Sequence, residues 1–89
     1  MGVITLQVGT TPKRLLANNP NRINFMLINN GSYDAYIGFD SNVSTTGKSK
    51  GVLLAANGGV WSYEFHKGEV WAVATGDTEI TIVESTEGE

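Results

Sequence analysis

The sequence predicts a small all-β domain, an antiparallel β-sandwich or barrel of about seven or eight short strands with jelly-roll or immunoglobulin-like connectivity. Three observations lead there. Apolar residues recur at period two in one short segment after another, as where Trp61, Tyr63 and Phe65 share a face opposite Val60, Ser62 and Glu64. Turn formers punctuate the segments, with 11 glycines and frequent Asn, Ser and Thr between the apolar runs. A chain of 89 residues, 40% hydrophobic and 17% charged, suits one thin-cored domain that is too apolar to stay unfolded and too short for two cores.

The first segment, residues 3–8, is rich in β-branched side chains and runs into the turn Gly9-Thr10-Thr11-Pro12. Residues 13–17 are open between a short strand and one helical turn. Asn18-Asn19-Pro20-Asn21 ends them, because the residue before proline avoids the helical region. Arg22–Asn29 is the clearest strand, with Ile23, Phe25 and Leu27 alternating with Asn24, Met26 and Ile28. Apolar residues on both of its faces predict a central strand covered on both sides. Asn30-Gly31 predicts a tight hairpin pairing that strand antiparallel with residues 33–39. Residues 40–50 lack an apolar period and read as the longest surface loop, followed by a short strand at 51–54 and a turn at Ala56-Asn57-Gly58-Gly59. The last third predicts a meander of three strands, at 60–65, 69–74 and 79–84, with a glycine at each joint. Residues 85–89 are acidic, carry no apolar side chain and are expected to fray, which leaves one domain over residues 1–84.

Composition narrows the function. Without cysteine there are no disulfides and no thiolate metal sites, so oligomerisation is the remaining route to extra stability. Net charge is −3 and the 6 Lys and Arg residues are scattered, which argues against nucleic acid as a partner. No basic region followed by a long apolar run opens the chain, and no stretch approaches the ~20 apolar residues of a membrane span. Synthesis in a cytoplasm and no membrane partner are therefore expected, and the glycosylation sequons at Asn30 and Asn42 carry no meaning.

Chemistry-bearing constellations are missing. His66 is the single histidine, placed in a turn beside Lys67-Gly68, and no second histidine or cysteine exists to join it in catalysis or metal binding. Gly47-Lys48-Ser49 ends like a phosphate-binding loop, but Asn42 stands where that motif requires glycine and no helix follows. Asp34, Asp40 and Asp77 lie in turns without the spacing of a calcium loop. No enzyme, metal or cofactor is expected. Trp61, Tyr63, Phe65 and Trp71 read first as core and second as a saccharide platform. Tyr33 and Tyr36, on opposite faces of one segment, are the aromatic candidates for exposure.

Asn19-Pro20-Asn21-Arg22 before an alternating strand is followed by Asn29-Asn30-Gly31, Tyr36-Ile37-Gly38-Phe39, Gly51-Val52-Leu53-Leu54 and Gly58-Gly59. Then come Trp61-x-Tyr63-x-Phe65, Lys67-Gly68-Glu69-Val70-Trp71-Ala72-Val73 and Ile80-Thr81-Ile82-Val83-Glu84. This ordered set, across residues 19–84, resembles a small β-sandwich module of virion structural proteins in tailed bacteriophages and related viruses. The resemblance implies a non-enzymatic head decoration, head fibre or minor structural protein, made in the host cytoplasm and resident in the virion. Its implied partner is the major capsid protein or another virion protein, and its implied state is a homo-oligomer, a trimer by analogy with local threefold positions of capsids. The resemblance transfers no catalytic residue. Arg22 is expected to be structural, its guanidinium fork bonding backbone carbonyls of the 18–21 turn. The alternative is a carbohydrate- or receptor-binding module on a tail or fibre. Candidate partner-binding residues are Tyr33, Tyr36 and, from the 40–50 loop, Asp40, Lys48 and Lys50.

Overall fold

In a computed structural model, which describes residues 2–64 and 66–87, the alternating segments become eight strands. They are β1 (Gly2–Val8), β2 (Lys13–Leu16), β3 (Arg22–Asn29), β4 (Ala35–Gly38), β5 (Val52–Leu54), β6 (Gly59–Glu64), β7 (Val70–Ala74) and β8 (Thr78–Thr86). One turn of 3₁₀ helix, Gly47–Ser49, interrupts the long loop. The strands form two antiparallel four-stranded sheets, in the order β1-β8-β3-β6 and β2-β7-β4-β5. The pairs β1–β8, β2–β7, β3–β6 and β4–β5 are those of one long hairpin. Rolling that hairpin up adds β3–β8 and β4–β7. This is jelly-roll connectivity, and it decides between the two topologies left open by the sequence.

Two sequence expectations fail for the same reason: successive strands hop between sheets. Asn30-Gly31 does not close a hairpin, because β3 and β4 belong to different sheets. The Asn30 N–H instead continues the ladder to the Glu79 carbonyl at 2.8 Å. Glycine is needed at 31 for close approach: a Cβ there would lie 2.7 Å from the Glu79 backbone nitrogen. Nor do β6, β7 and β8 form a meander, since β7 lies across the sandwich from the other two. Residues 13–17 resolve as strand β2, and the predicted strand end at Phe65 lies outside the described residues.

The core follows from small residues meeting large ones. Ala35, Ala72 and Ala74 point inward from β4 and β7, leaving room for Phe25, Leu27, Ile80 and Ile82 of the facing sheet. The sheets differ in length. The β1-β8-β3-β6 sheet has strands of 7, 9, 8 and 6 residues, the other sheet strands of 4, 5, 4 and 3. The long sheet therefore overhangs the short one, and some of its inward-facing side chains have no facing sheet.

Two buried polar groups fix the ends of β3. Arg22 is 0% exposed, and its guanidinium donates to Glu84 Oε2 at 2.7 Å, to Gly68 O at 2.8 Å, to His66 O at 3.2 Å and to Ala17 O. The expected clamp thus exists, but it ties two loops and β8 together rather than one turn. Asn29 donates to Tyr33 O and Leu54 O and accepts from the Gly31 N–H and Thr78 Oγ1, which uses its amide fully. Strand β8 also runs past the boundary expected at residue 84. Ser85 pairs with Asn24, Thr86 with Arg22, and the Glu87 N–H bonds to Asn21 O at 2.7 Å. Backbone pairing, which needs no apolar side chain, holds that segment; Gly88 and Glu89 lie outside the described residues.

Candidate functional site

The outer face of the long sheet carries a continuous row of apolar residues with no covering layer among the described residues. Strand register sets its rows. Val3, Val83, Met26 and Ser62 stand side by side across the four strands, and Thr5, Thr81, Ile28 and Val60 form the next row. Val3 is 67% and Val60 59% exposed, while Met26, Ile28 and Val83 are half-buried by one another. A hollow of about 260 Å³ opens beside Met26, between Asn24, Ser62, Val83 and Ser85. The rest of the face is polar and self-bonded: Thr81 Oγ1 accepts from Asn30 Nδ2 at 2.7 Å and lies 3.0 Å from Thr5 Oγ1. Its charged residues are Glu64 and Glu79, both acidic and at opposite ends.

Sequence reading missed this face, although its signal was present. Apolar residues on both sides of β3 were expected to mean a strand covered on both sides. The strand is central, but among the described residues nothing covers Met26 and Ile28 from outside.

A second surface lies at the β6 edge, where the short sheet falls away. Phe39, Trp61, Tyr63 and His66 cluster there, the Phe39 and His66 rings 4.2 Å apart and the Trp61 and Tyr63 rings 5.6 Å apart and stacked. Trp61 packs on Phe25 and the core, whereas Phe39 is 44% and Tyr63 45% exposed. Alternation correctly put Trp61 and Tyr63 on the inward face, but burial also needs a facing sheet, and β5 has only 3 residues. His66 is likewise no plain turn residue: Nε2 lies 3.2 Å from Glu69 O and its ring joins the cluster.

The residues expected to bind partners fall elsewhere. Tyr36 and Lys50 come together on the outer face of the short sheet, the ammonium 5.4 Å from the ring centroid. Lys48 is exposed on the 3₁₀ turn, and the Asp40 carboxylate accepts the Asn42 N–H at 2.9 Å. Tyr33 lies apart from these, its ring against Gly76. Part of their face is roofed by the chain itself, since Val43 from the long loop is buried over Gly38 and Gly51, while Leu53 beside Tyr36 stays exposed. Trp71, expected in the core, faces outward there and donates to Glu69 Oε1 at 3.2 Å, while Arg14 donates to Glu69 Oε2 at 3.1 Å. The Trp71 N–H first, then the Arg14 hydrogen bond and charge, hold the Glu69 carboxyl below its ordinary range against an opposing push from burial.

Among the described residues no group of three His, Asp or Glu is placed to hold a metal ion; Asp34 instead accepts the Ala56 N–H at 2.8 Å. No known protein family, no curated protein and no solved structure matches the chain.

Proposed function

We propose that this chain is a non-catalytic structural protein that docks on an assembled virion shell through the outer face of its long sheet. The observation that carries the reading is the continuous apolar patch of Val3, Val83, Met26, Ile28 and Val60, which the described residues leave uncovered while the long loop roofs part of the other sheet. A patch without a basic residue and with acidic ends fits an apolar protein surface rimmed by polar or basic groups. The sequence resemblance supplies the virion, and jelly rolls serving as both shell and lectin domains keep the fold compatible by analogy. An oligomer engaging several lattice sites would gain about 10²–10⁴ in apparent affinity.

The test is co-sedimentation with assembled capsids and with unassembled capsid subunits. The protein is expected to pellet with capsids far better than it binds subunits, and Met26→Asp to lose that binding while staying folded. Equal affinity for both would remove the avidity argument. A second reading, a saccharide-binding module on a tail or fibre, draws on the exposed rings of Phe39 and Tyr63. Absence of binding to either capsid form, with a positive glycan array, would favour it.

A further inference from the structure

The four sheet edges differ in how they meet another strand. β2 presents Lys13 and Arg14 and carries a bulge between Arg14 and Leu16. β5 is 3 residues long, and the stretch before it is already bonded by the long loop, Gly51 N–H to Ser44 O at 3.1 Å. Charge, bulges and brevity are devices that keep an unpaired edge from recruiting a strand. β6 has none of them over Gly59–Glu64: no proline, no basic residue, no bulge, and a single charge at its end. β1 is also uncharged, and Val3 and Ile4 on it are exposed, but its apolar residues are aliphatic whereas those at β6 are largely aromatic. Beside β6 stand Val60 on the outer face and Trp61, Tyr63 and Phe39 on the inner one, and aromatic residues without lysine are the composition of protein interface centres.

We propose that β6 pairs antiparallel with β6 of a second copy of this chain, joining two long sheets edge to edge. The strand is complementary to itself. A twofold axis perpendicular to the sheet keeps outward residues opposite outward residues. The register that sets Ser62 opposite Ser62 therefore places Trp61 opposite Tyr63 and Val60 opposite Glu64 of the second copy. Aromatic faces aromatic and no like charges meet. A slip by one residue would set inner positions opposite outer ones and is excluded by the pleat, and a slip by two would lose the Trp61–Tyr63 pairing. The contact is isologous and closes at two copies, unlike the trimer implied by the resemblance. A saccharide fits the site less well, because its rings stack on one another, Trp61 on Tyr63 at 24° and Phe39 against His66, instead of forming one flat floor.

The proposal stands on the sheet edge and is independent of shell docking. Sedimentation velocity of the whole chain over a concentration series tests it, beside Ser62→Lys, Tyr63→Lys and, on the opposite edge, Thr5→Lys, each checked for β structure by circular dichroism. The expected result is a reversible dimer that dissociates at least tenfold more readily with lysine at 62 and at 63 but is unchanged with lysine at 5. A monomer at every concentration, a dimer lost only in Thr5→Lys, or species larger than a dimer would overturn it. So would a dimer untouched by both β6 variants.

Discussion

The two sheets carry similar outward apolar positions and treat them differently, although Leu53 at the β5 edge of the short sheet is also left exposed. On the short sheet, Val73 is buried although it faces outward, because the long loop folds back and seats Val43 over Gly38 and Gly51. Lys50 lies over Tyr36, and Arg14, Glu69 and Trp71 form a hydrogen-bonded cover beside it. On the long sheet, Met26, Ile28 and Val83 have comparable neighbours in the strand plane but, among the described residues, no loop above them. A face that the chain roofs contributes to its own stability, whereas a face left bare contributes little until something else covers it. The proposed docking role rests on this difference and on no catalytic residue.

A matched pair of substitutions gives the largest contrast. Val43→Asp buries a charge with no partner and is expected to cost about 2–4 kcal/mol, capped by the free energy of letting the loop swing away. Thermal unfolding should then fall by roughly 10–25 °C. Met26→Asp on the bare face is expected to cost under about 1 kcal/mol while abolishing shell binding. If Met26→Asp proves the more destabilising of the two, the bare face is already covered in the folded protein and the contrast collapses.

Gly38→Ala tests the roof without adding polarity. Its Cβ would sit 2.7 Å from Val43 Cβ, so either the loop lifts or β4 bends. A cost of about 1–3 kcal/mol is expected from overpacking, with increased proteolysis inside residues 40–50 as the sign that the loop has lifted. A neutral substitution would mean that Val43 does not press on the sheet.

Strand positions, the all-β class, the long loop and the structural role of Arg22, though not its partners, were legible in the sequence because each depends on local periodicity or on one side chain's hydrogen-bonding capacity. Pairing was not legible. Asn30-Gly31 has hairpin chemistry, yet glycine is there for its closeness to Glu79, and only the whole roll-up reveals that. Coverage was not legible either. Met26 and Ile28 signal that apolar groups face both ways, Tyr63 that a ring faces inward, but neither pattern says whether a second layer exists. Val43, a lone apolar residue among polar neighbours, gave no period to notice, and its partner surface is two glycines, which carry no apolar side chain to mark it.

The smallest expected effect concerns how the roofed face is held. Glu69 is kept below its ordinary pKa by the Trp71 N–H and by Arg14, so its folded pKa lies under its unfolded one. A lowered carboxyl pKa contributes stability that is fully present above the unfolded value, near 4.5, and is lost as pH falls through the folded value. The side chain is 35% exposed, so water screens the interaction and the gain is small. Comparing melting temperatures of the native chain and Glu69→Gln from pH 7 to pH 3 isolates it, because the amide cannot titrate. The native chain should melt slightly higher at pH 7, and the gap should close below about pH 4.5. The Thr5–Thr81–Asn30 bonds on the long sheet involve no ionisable group, so acid should leave them intact while the Arg14–Glu69–Trp71 cover loosens. A gap that widens in acid would mean that the Glu69 carboxyl is raised rather than lowered, and the Arg14–Glu69–Trp71 cover would then be a consequence of packing rather than one of its supports.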